Sequence, residues 1–203
     1  MRSPDLERVA ETHFFIRPVL NASLKRHVLT PDGQLMSPGC GTYFDAWTQS
    51  LSDKFFDMGT LIRAAASIET SLRNCYMGFK GHSNLSALHR DPDYHQNIFQ
   101  RVMPWQDNGG AIALMRTVGV DLTTFSELRS VQELVLHRHL YAHNLGVLDD
   151  RYIENLKTLT GTDIRSHPNV AHAYPHQDVF WFEPLGRLPQ LIEDARSFLR
   201  GLP

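Results

Sequence analysis

The chain has 203 residues with 20 basic and 22 acidic side chains, so its formal net charge is −2. This balance excludes a broad basic surface, and a nucleic acid would have to be bound at a local site. The length predicts one domain, and no stretch reaches the roughly 18 apolar residues of a membrane span. The two cysteines, Cys40 and Cys75, form no disulfide framework, and the start lacks an apolar signal segment. These features predict a cytoplasmic protein without a membrane partner.

Two helices separated by a loop are predicted in the first part of the chain. Residues 3–15 are typical of a helix, because Pro4 suits the first helical position, and Pro18 is expected to end or kink it. Residues 30–41 are rich in proline and glycine and indicate a loop. A long helix is predicted from about 52 to 79, where apolar residues recur at three- and four-residue steps. These residues are Leu61, Ala65, Ile68, Leu72, Cys75 and Phe79.

The middle of the chain is predicted to be less regular. Residues 80–108 indicate irregular structure with a short helix near 94–102, and a second short helix is expected to close at Gly119. Thr124 and Glu127 have the spacing of a capping box, which predicts that the next helix starts there.

Asn144 and Gly146 are expected to stop that helix, and the following helix should begin at Asp149 or Asp150 and run to about Leu159. Residues 166–176 indicate a loop, and the apolar run 179–182 indicates either a short strand or an apolar plug. Pro189 is expected to open the last helix, which carries one apolar stripe. The stripe consists of Leu191, Ile192, Ala195, Phe198 and Leu199.

Strong helical periodicity with almost no strand alternation predicts an all-α fold, a helical bundle with long loops. The predicted organisation is an N-terminal extension at 1–50, made of a helix and a loop, followed by one helical domain at 51–203.

The helix before Asn144 carries charged and imidazole side chains among its apolar residues. At about 100° per residue, its predicted core-facing arc contains Leu128, Val131, Leu134, Val135 and Ala142. Arg138 lies within this arc, His139 lies at its other side, and His143 lies just beyond His139. His137 is predicted to point the opposite way, into solvent. Burying an unpaired guanidinium costs several kcal/mol, so Arg138 needs a carboxylate, a helix end, a second subunit or a phosphate-bearing ligand.

Two ordinary interpretations compete for these residues. One is a structural pair between Arg138 and a carboxylate, with His139 and His143 as core histidines. The other is a metal site, since the two histidines are spaced i, i+4. The zinc-enzyme motif of that spacing also needs a glutamate, where this chain has Leu140. A third ligand would have to come from the loop histidines, which are His167, His172 and His176, and we expect no metal and no cofactor.

A third interpretation comes from resemblance. Arg138 and His143 form the R-x4-6-H motif of HEPN domains, and the surrounding run LVLHRHLYAHNLGVLDDRYI resembles the subgroup related to abortive-infection and toxin–antitoxin proteins. The residues that match the subgroup after the motif are Asn144, Gly146, Val147, Asp149 or Asp150, and Tyr152. Upstream, AASIETSLRNCY resembles the early acidic helix of such domains, with Glu69 in the acidic position. The chain departs from the pattern at His139, where the family often has asparagine.

The resemblance implies a HEPN-like bundle that cleaves RNA without a metal at a homodimer interface, with Arg138 and His143 as catalytic residues. Histidine suits proton transfer near neutral pH, and arginine suits charge on phosphoryl oxygens. One helix holds these two residues roughly 140° apart, so two helices related by a two-fold axis would complete one cleft. A toxin or antiviral defence effector is implied, with an antitoxin or other regulatory protein as a possible partner.

Each of the residues around the motif has two possible roles. Glu69 is either a solvated charge or an anchor for Arg138, and His139 is either a polar group of the site or a satisfied core histidine. Asn144 either caps the helix or serves the site, while Tyr141 favours packing over RNA stacking. The alternatives for the whole protein are a HEPN-like binding or assembly module without catalysis, which the near-zero charge favours, and an unrelated helical protein with a chance motif.

Overall fold

The computed structural model describes residues 4–19, 43–99, 110–144, 146–166, 170–174, 177–180 and 187–203. The described part is mostly helical, as the sequence predicts. Its α-helices are α1 (Pro4–Glu11), α2 (Tyr43–Lys80), α3 (Leu85–His89), α4 (Pro92–Tyr94), α5 (Gly110–Arg116), α6 (Leu128–Asn144), α7 (Asp150–Thr160) and α8 (Leu188–Gly201). A hairpin of β1 (Val170–Tyr174) and β2 (Gln177–Phe180) precedes α8. Among the described helices, none has both the length and the apolar character to cross a membrane.

Helix α6 lies at the centre of the packing. It contacts α2 on one side, α8 on another and α7 on a third, while α1 packs against α2 and α8. Burial of apolar surface between these helices is the main force that holds them together. Because neighbours lie on several sides of α6, its residues do not divide into one buried and one solvent-facing side, and residues 133–137 are all buried.

Helices α2 and α8 follow their predicted periodicity. The whole predicted stripe of α8 is buried, and so is the stripe of α2 except Phe79, whose side chain is 50% exposed. Phe79 was expected in the core, but it lies in the last turn of α2, beyond the helices that cover the rest of the stripe. At its other end, α2 begins at Tyr43 and so runs through the predicted boundary between residues 50 and 51.

The N-terminal helix joins the same core. Leu6, Val9 and Ala10 of α1 are buried, and Glu7 accepts hydrogen bonds from Arg196 and Arg200 of α8 at 2.5 and 3.0 Å. The chain remains helical past α1, through a π-helical turn at Thr12–Ile16 to residue 19. The division into an extension and a domain stays a prediction, and the loop at 30–41 lies outside the described residues.

The hairpin corrects the prediction of a loop at 166–176. Strands β1 and β2 are antiparallel, with Val170 opposite Phe180 and Ala171 opposite Val179. Valine, tyrosine and phenylalanine favour the pleated conformation, and this preference is expressed once a partner strand supplies the backbone hydrogen bonds. Of the two alternatives for residues 179–182, the strand is found at 179 and 180, and the other two residues lie outside the described part.

The start of α6 also differs from the prediction. The helix begins at Leu128, and Thr124 belongs to an earlier 3₁₀ turn, Leu122–Thr124, whose cap is Asp121. The Thr124 hydroxyl donates to the Asp121 carbonyl at 2.8 Å. The predicted capping box is therefore wrong, because the threonine is committed to the preceding turn. The other end of α6 is as predicted, since the helix stops at Asn144 and Gly146 follows with φ +87°.

Candidate active site

The candidate site occupies the last two turns of α6, where the motif residues lie. Arg138 is partly buried, and its Nε is buried without a hydrogen-bond partner. Among the described residues, no side chain or carbonyl accepts a hydrogen bond from its guanidinium. A buried polar group that is left unsatisfied costs about 1–3 kcal/mol. The donors of the Arg138 guanidinium are therefore not used by any residue that the structure describes.

The Arg138 side chain faces the acidic position of α2. Burial raises the pKa of Glu69, and the positive charges of Arg138 and Arg73 act against that rise. The two helices thus bring Glu69 within electrostatic range of Arg138. This proximity favours the interpretation of Glu69 as an anchor for Arg138 over that of a solvated surface charge. The anchoring is through space, because no hydrogen bond or ion pair within 4 Å joins the two among the described contacts. Glu69 thus balances part of the Arg138 charge without accepting a hydrogen bond from it.

His139 and His143 lie side by side one turn apart. Their ring centroids are 4.6 Å apart and their planes are inclined by 51°. His143 is exposed, whereas His139 is partly buried. Burial, followed by the charges of His143 and Arg138, lowers the pKa of His139 below its ordinary value. The neutral form of His139 is therefore favoured. The residue that departs from the family pattern is thus electrostatically coupled to both motif residues.

The junction of α6 and α7 fixes the end of the site. The Asn144 side-chain amide donates to Asp149 Oδ2 at 2.7 Å, and Asp149 Oδ1 accepts from the backbone N–H of Tyr152 at 2.7 Å as the cap of α7. Gly146 supplies the left-handed turn between them. Asn144 thus braces the turn through its side chain, and these residues position the last turn of α6.

Tyr141 is not on the surface of the site. Its side chain is only 2% exposed and belongs to the core. This is the packing alternative, and stacking on an RNA base would require an exposed ring. Ala142, by contrast, was predicted in the core-facing arc and is exposed. The predicted arc is wrong there, because the side of this turn that faces the core carries Leu140 and Tyr141 rather than Ala142.

His137 corrects the prediction of a solvated side chain. It is 2% exposed, with Nδ1 2.7 Å from the Tyr152 hydroxyl and Nε2 3.4 Å from Glu133 Oε1. Burial lowers its pKa, although the Glu133 carboxylate acts in the opposite direction. The reason is α7, which packs over the side of α6 that a single amphipathic pattern leaves to solvent.

Sequence reasoning missed the network around His137. Glu133 is buried, accepts from Arg187 Nε at 3.1 Å and pairs with a second nitrogen of the same guanidinium. The i, i+4 spacing of Glu133 and His137 is a detectable signal for such a pair. The partner at Arg187 has no local signal, because 54 residues separate it from Glu133.

The metal alternative gains no third ligand from the described residues. No group of three histidine, cysteine, aspartate or glutamate side chains among them is arranged to hold a metal ion. Of the three loop histidines considered as ligands, His172 lies in β1, and His167 and His176 lie outside the described residues.

The arrangement combines two chemical capacities on one helix end. A guanidinium with unused donors can bind a phosphate or carboxylate, and two adjacent imidazoles of different exposure can accept and donate protons. No family model, no curated protein and no solved structure matches this chain. The likeness to HEPN domains therefore consists of the motif and its flanking residues.

Proposed function

We propose that the protein is a metal-independent endoribonuclease of HEPN type that acts at a homodimer interface, as a toxin or antiviral defence effector. One observation carries the proposal. Arg138 is partly buried with a buried, unpartnered Nε on the helix end that also presents the His139–His143 pair. The sequence motif names the same arginine and histidine independently of their geometry.

The proposed reaction is transfer of a phosphodiester to the neighbouring ribose oxygen. A neutral imidazole removes the proton from the 2′-hydroxyl, and that oxygen forms a bond to phosphorus as the bond to the 5′-oxygen breaks. A protonated imidazole donates its proton to the departing 5′-oxygen. The products are a 2′,3′-cyclic phosphate and a 5′-hydroxyl, so atoms and protons balance without water or an oxidant.

Each residue has a defined part in this reaction. The Arg138 guanidinium binds the non-bridging phosphoryl oxygens through its planar pair of donors. His143, which is exposed, transfers protons to or from RNA, and His139 supports it as the neighbour whose charged form is disfavoured. Glu69 balances the guanidinium charge from α2. A second copy of α6 related by a two-fold axis supplies the pair that one helix cannot bring together alone.

A binding or assembly module without catalysis is the second candidate. It is favoured by the net charge of −2, because proteins that hold RNA through many phosphate contacts carry an excess of lysine and arginine. Under this candidate the unpartnered Arg138 contacts an acidic group of a second protein. Both candidates use the same surface, and only cleavage distinguishes them.

The decisive experiment replaces each motif residue and measures RNA cleavage. Arg138→Ala and His143→Ala should each lower the rate about 10²- to 10⁴-fold, which is the range of general acid–base catalysis. Arg90→Ala and His89→Ala are matched controls at exposed positions and should cleave as wild type does. Circular dichroism and light scattering should show the same fold and assembly for all four variants.

Product ends give a second readout. Labelled RNA cut by the wild type should carry 2′,3′-cyclic phosphate and 5′-hydroxyl ends. Absence of cleavage by the wild type, or wild-type rates in both motif variants, would contradict the nuclease proposal and favour the binding module.

A further inference from the structure

A second candidate site lies on the opposite side of α6 from Arg138. Residues of α6, α7, the turn after α7 and the N-cap of α8 line a cavity of about 380 Å³ that is open to solvent on one side. Cavities that hold small molecules have volumes of about 300–1,000 Å³. Arg129 and Glu133 of α6 lie on its wall together with His137, so the cavity includes two buried titratable groups that the proposed cleavage reaction does not use.

Among the described residues, the polar part of the wall carries a net positive charge. Arg129 and Arg187 both line the cavity, and the Glu133 carboxylate is already engaged by Arg187. Burial lowers the pKa of His137 and so favours its neutral form, although the Glu133 carboxylate acts in the opposite direction. One guanidinium charge is therefore left over, and it belongs to Arg129, which forms no hydrogen bond or ion pair with the described residues. An anion is the ligand that completes this charge balance.

Hydroxyl groups and an apolar wall define the rest of the ligand. Ser130 and Thr162 line the cavity and can donate to anionic oxygens, whereas the hydroxyl of Thr160, which also lines it, donates to the Leu156 carbonyl at 2.8 Å. Leu156, Leu159 and Ile164 form the apolar wall. Leu156 and Ile164 are already buried, whereas Leu159 is partly exposed, and a ligand with an apolar body would cover it as a simple inorganic anion would not.

We propose that this cavity binds a small organic anion in which a carboxylate or phosphate group is attached to an apolar body. The anionic group lies against Arg129 and the neighbouring hydroxyls, and the apolar body lies against the leucines and isoleucine of α7 and the following turn. The site is separate from the one proposed for RNA, and its binding can be measured with no RNA present. Failure of the nuclease proposal would leave it unaffected.

The test titrates the full-length protein with simple probes and follows backbone amide signals by NMR. Phenyl phosphate and benzoate each combine an anionic group with an apolar ring. Comparing their affinities shows whether the cavity prefers a phosphate or a carboxylate. Inorganic phosphate has only the anion, and benzyl alcohol has only the apolar ring. We expect saturable shifts at Ser130, Thr160 and Thr162 with at least one of the first two probes, and about tenfold weaker binding of the last two.

Substitutions at the cavity test whether the NMR shifts come from binding there. Arg129→Ala should weaken binding about tenfold or more, since a charge-assisted hydrogen bond is lost. The position is exposed, so the variant should fold, and Arg90→Ala is the matched control that should bind as wild type does. Leu159→Trp should also reduce binding, because its ring fills the apolar side.

Three results would overturn the proposal. They are the absence of saturable shifts at the cavity with both organic anions, equal binding of inorganic phosphate or benzyl alcohol, and unchanged affinity in Arg129→Ala.

Discussion

Acid should destabilise this protein through a buried histidine near its N-terminus. His13 is 5% exposed, and its Nδ1 is buried without a hydrogen-bond partner. Asp57 Oδ1 lies 3.6 Å from that nitrogen, but the Asp57 carboxylate accepts two hydrogen bonds from Arg17 at 2.9 and 3.0 Å. Burial, followed by the Arg17 charge, lowers the pKa of His13 to about 4. The contact with Asp57 is therefore not an ion pair at neutral pH.

The lowered pKa makes the free energy of unfolding depend on pH. Between pH 6.5 and 4 the unfolded chain holds a proton on His13 that the folded protein does not, so stability falls as pH falls through this window. Each pKa unit corresponds to about 1.4 kcal/mol. From pH 7 to pH 4.5, the protonation of His13 in the unfolded chain should lower the free energy of unfolding by about 2 kcal/mol.

His13→Phe isolates this contribution. Phenylalanine keeps an aromatic ring beside Phe14 and Phe56, which the His13 ring contacts, and it has no proton to gain. Urea unfolding of both proteins at pH 7 and pH 4.5 gives two differences in the free energy of unfolding. The wild type should lose about 2 kcal/mol more than the variant over this interval. Acidic groups that titrate in both proteins cancel in the comparison.

His89→Phe is the control, because His89 is an exposed histidine. It should lose as much stability as the wild type between the two pH values. If His13→Phe loses as much as the wild type too, the histidine is solvated or already charged in the folded state, and the reasoning from burial is refuted.

Three further predictions concern the candidate active site. Arg138→Lys should cleave RNA at least about tenfold more slowly than the wild type, because an ammonium cannot reproduce the planar pair of donors; an unchanged rate would show that charge alone suffices. EDTA should leave cleavage intact in an RNA gel assay, whereas loss in chelator and recovery with zinc or manganese would favour a metal held by His139 and His143. Light scattering should give a dimer at micromolar concentration, and a strictly monomeric protein that still cuts RNA would exclude a composite site.

Much of the helical layout is predictable from the sequence because periodicity reports burial directly. The stripe of α8 is fully buried as expected, and α6 and α7 are separated at Asn144 and Gly146 by residues with well-defined local preferences. The hairpin was missed because strand pairing depends on a partner further along the chain, and the residues of β1 show little local alternation.

The environment of each site residue was harder to predict than its position on the helix. His137 was assigned to solvent because one apolar arc was read for α6, yet α7 covers the other side. Glu69 could be named from the resemblance, but its proximity to Arg138 depends on how α2 packs against α6. The sequence specifies side-chain chemistry and helical phase, whereas distances between helices arise from packing across the whole core.

Arg138 differs from other buried or partly buried charged residues of the described chain in how its donors are paired. Two buried carboxylates of the described chain are paired with arginine, Glu133 with Arg187 and Asp57 with Arg17. A third, Asp91, is paired with His82. Three described arginines have a buried Nε without a partner; Arg196 donates from other nitrogens to Glu7 and Glu193, and Arg73 donates to Thr70. Arg138 alone of these three makes no hydrogen bond to a described residue. An unsatisfied buried donor costs about 1–3 kcal/mol, and under the proposed function a phosphodiester would supply the oxygens that the described residues do not.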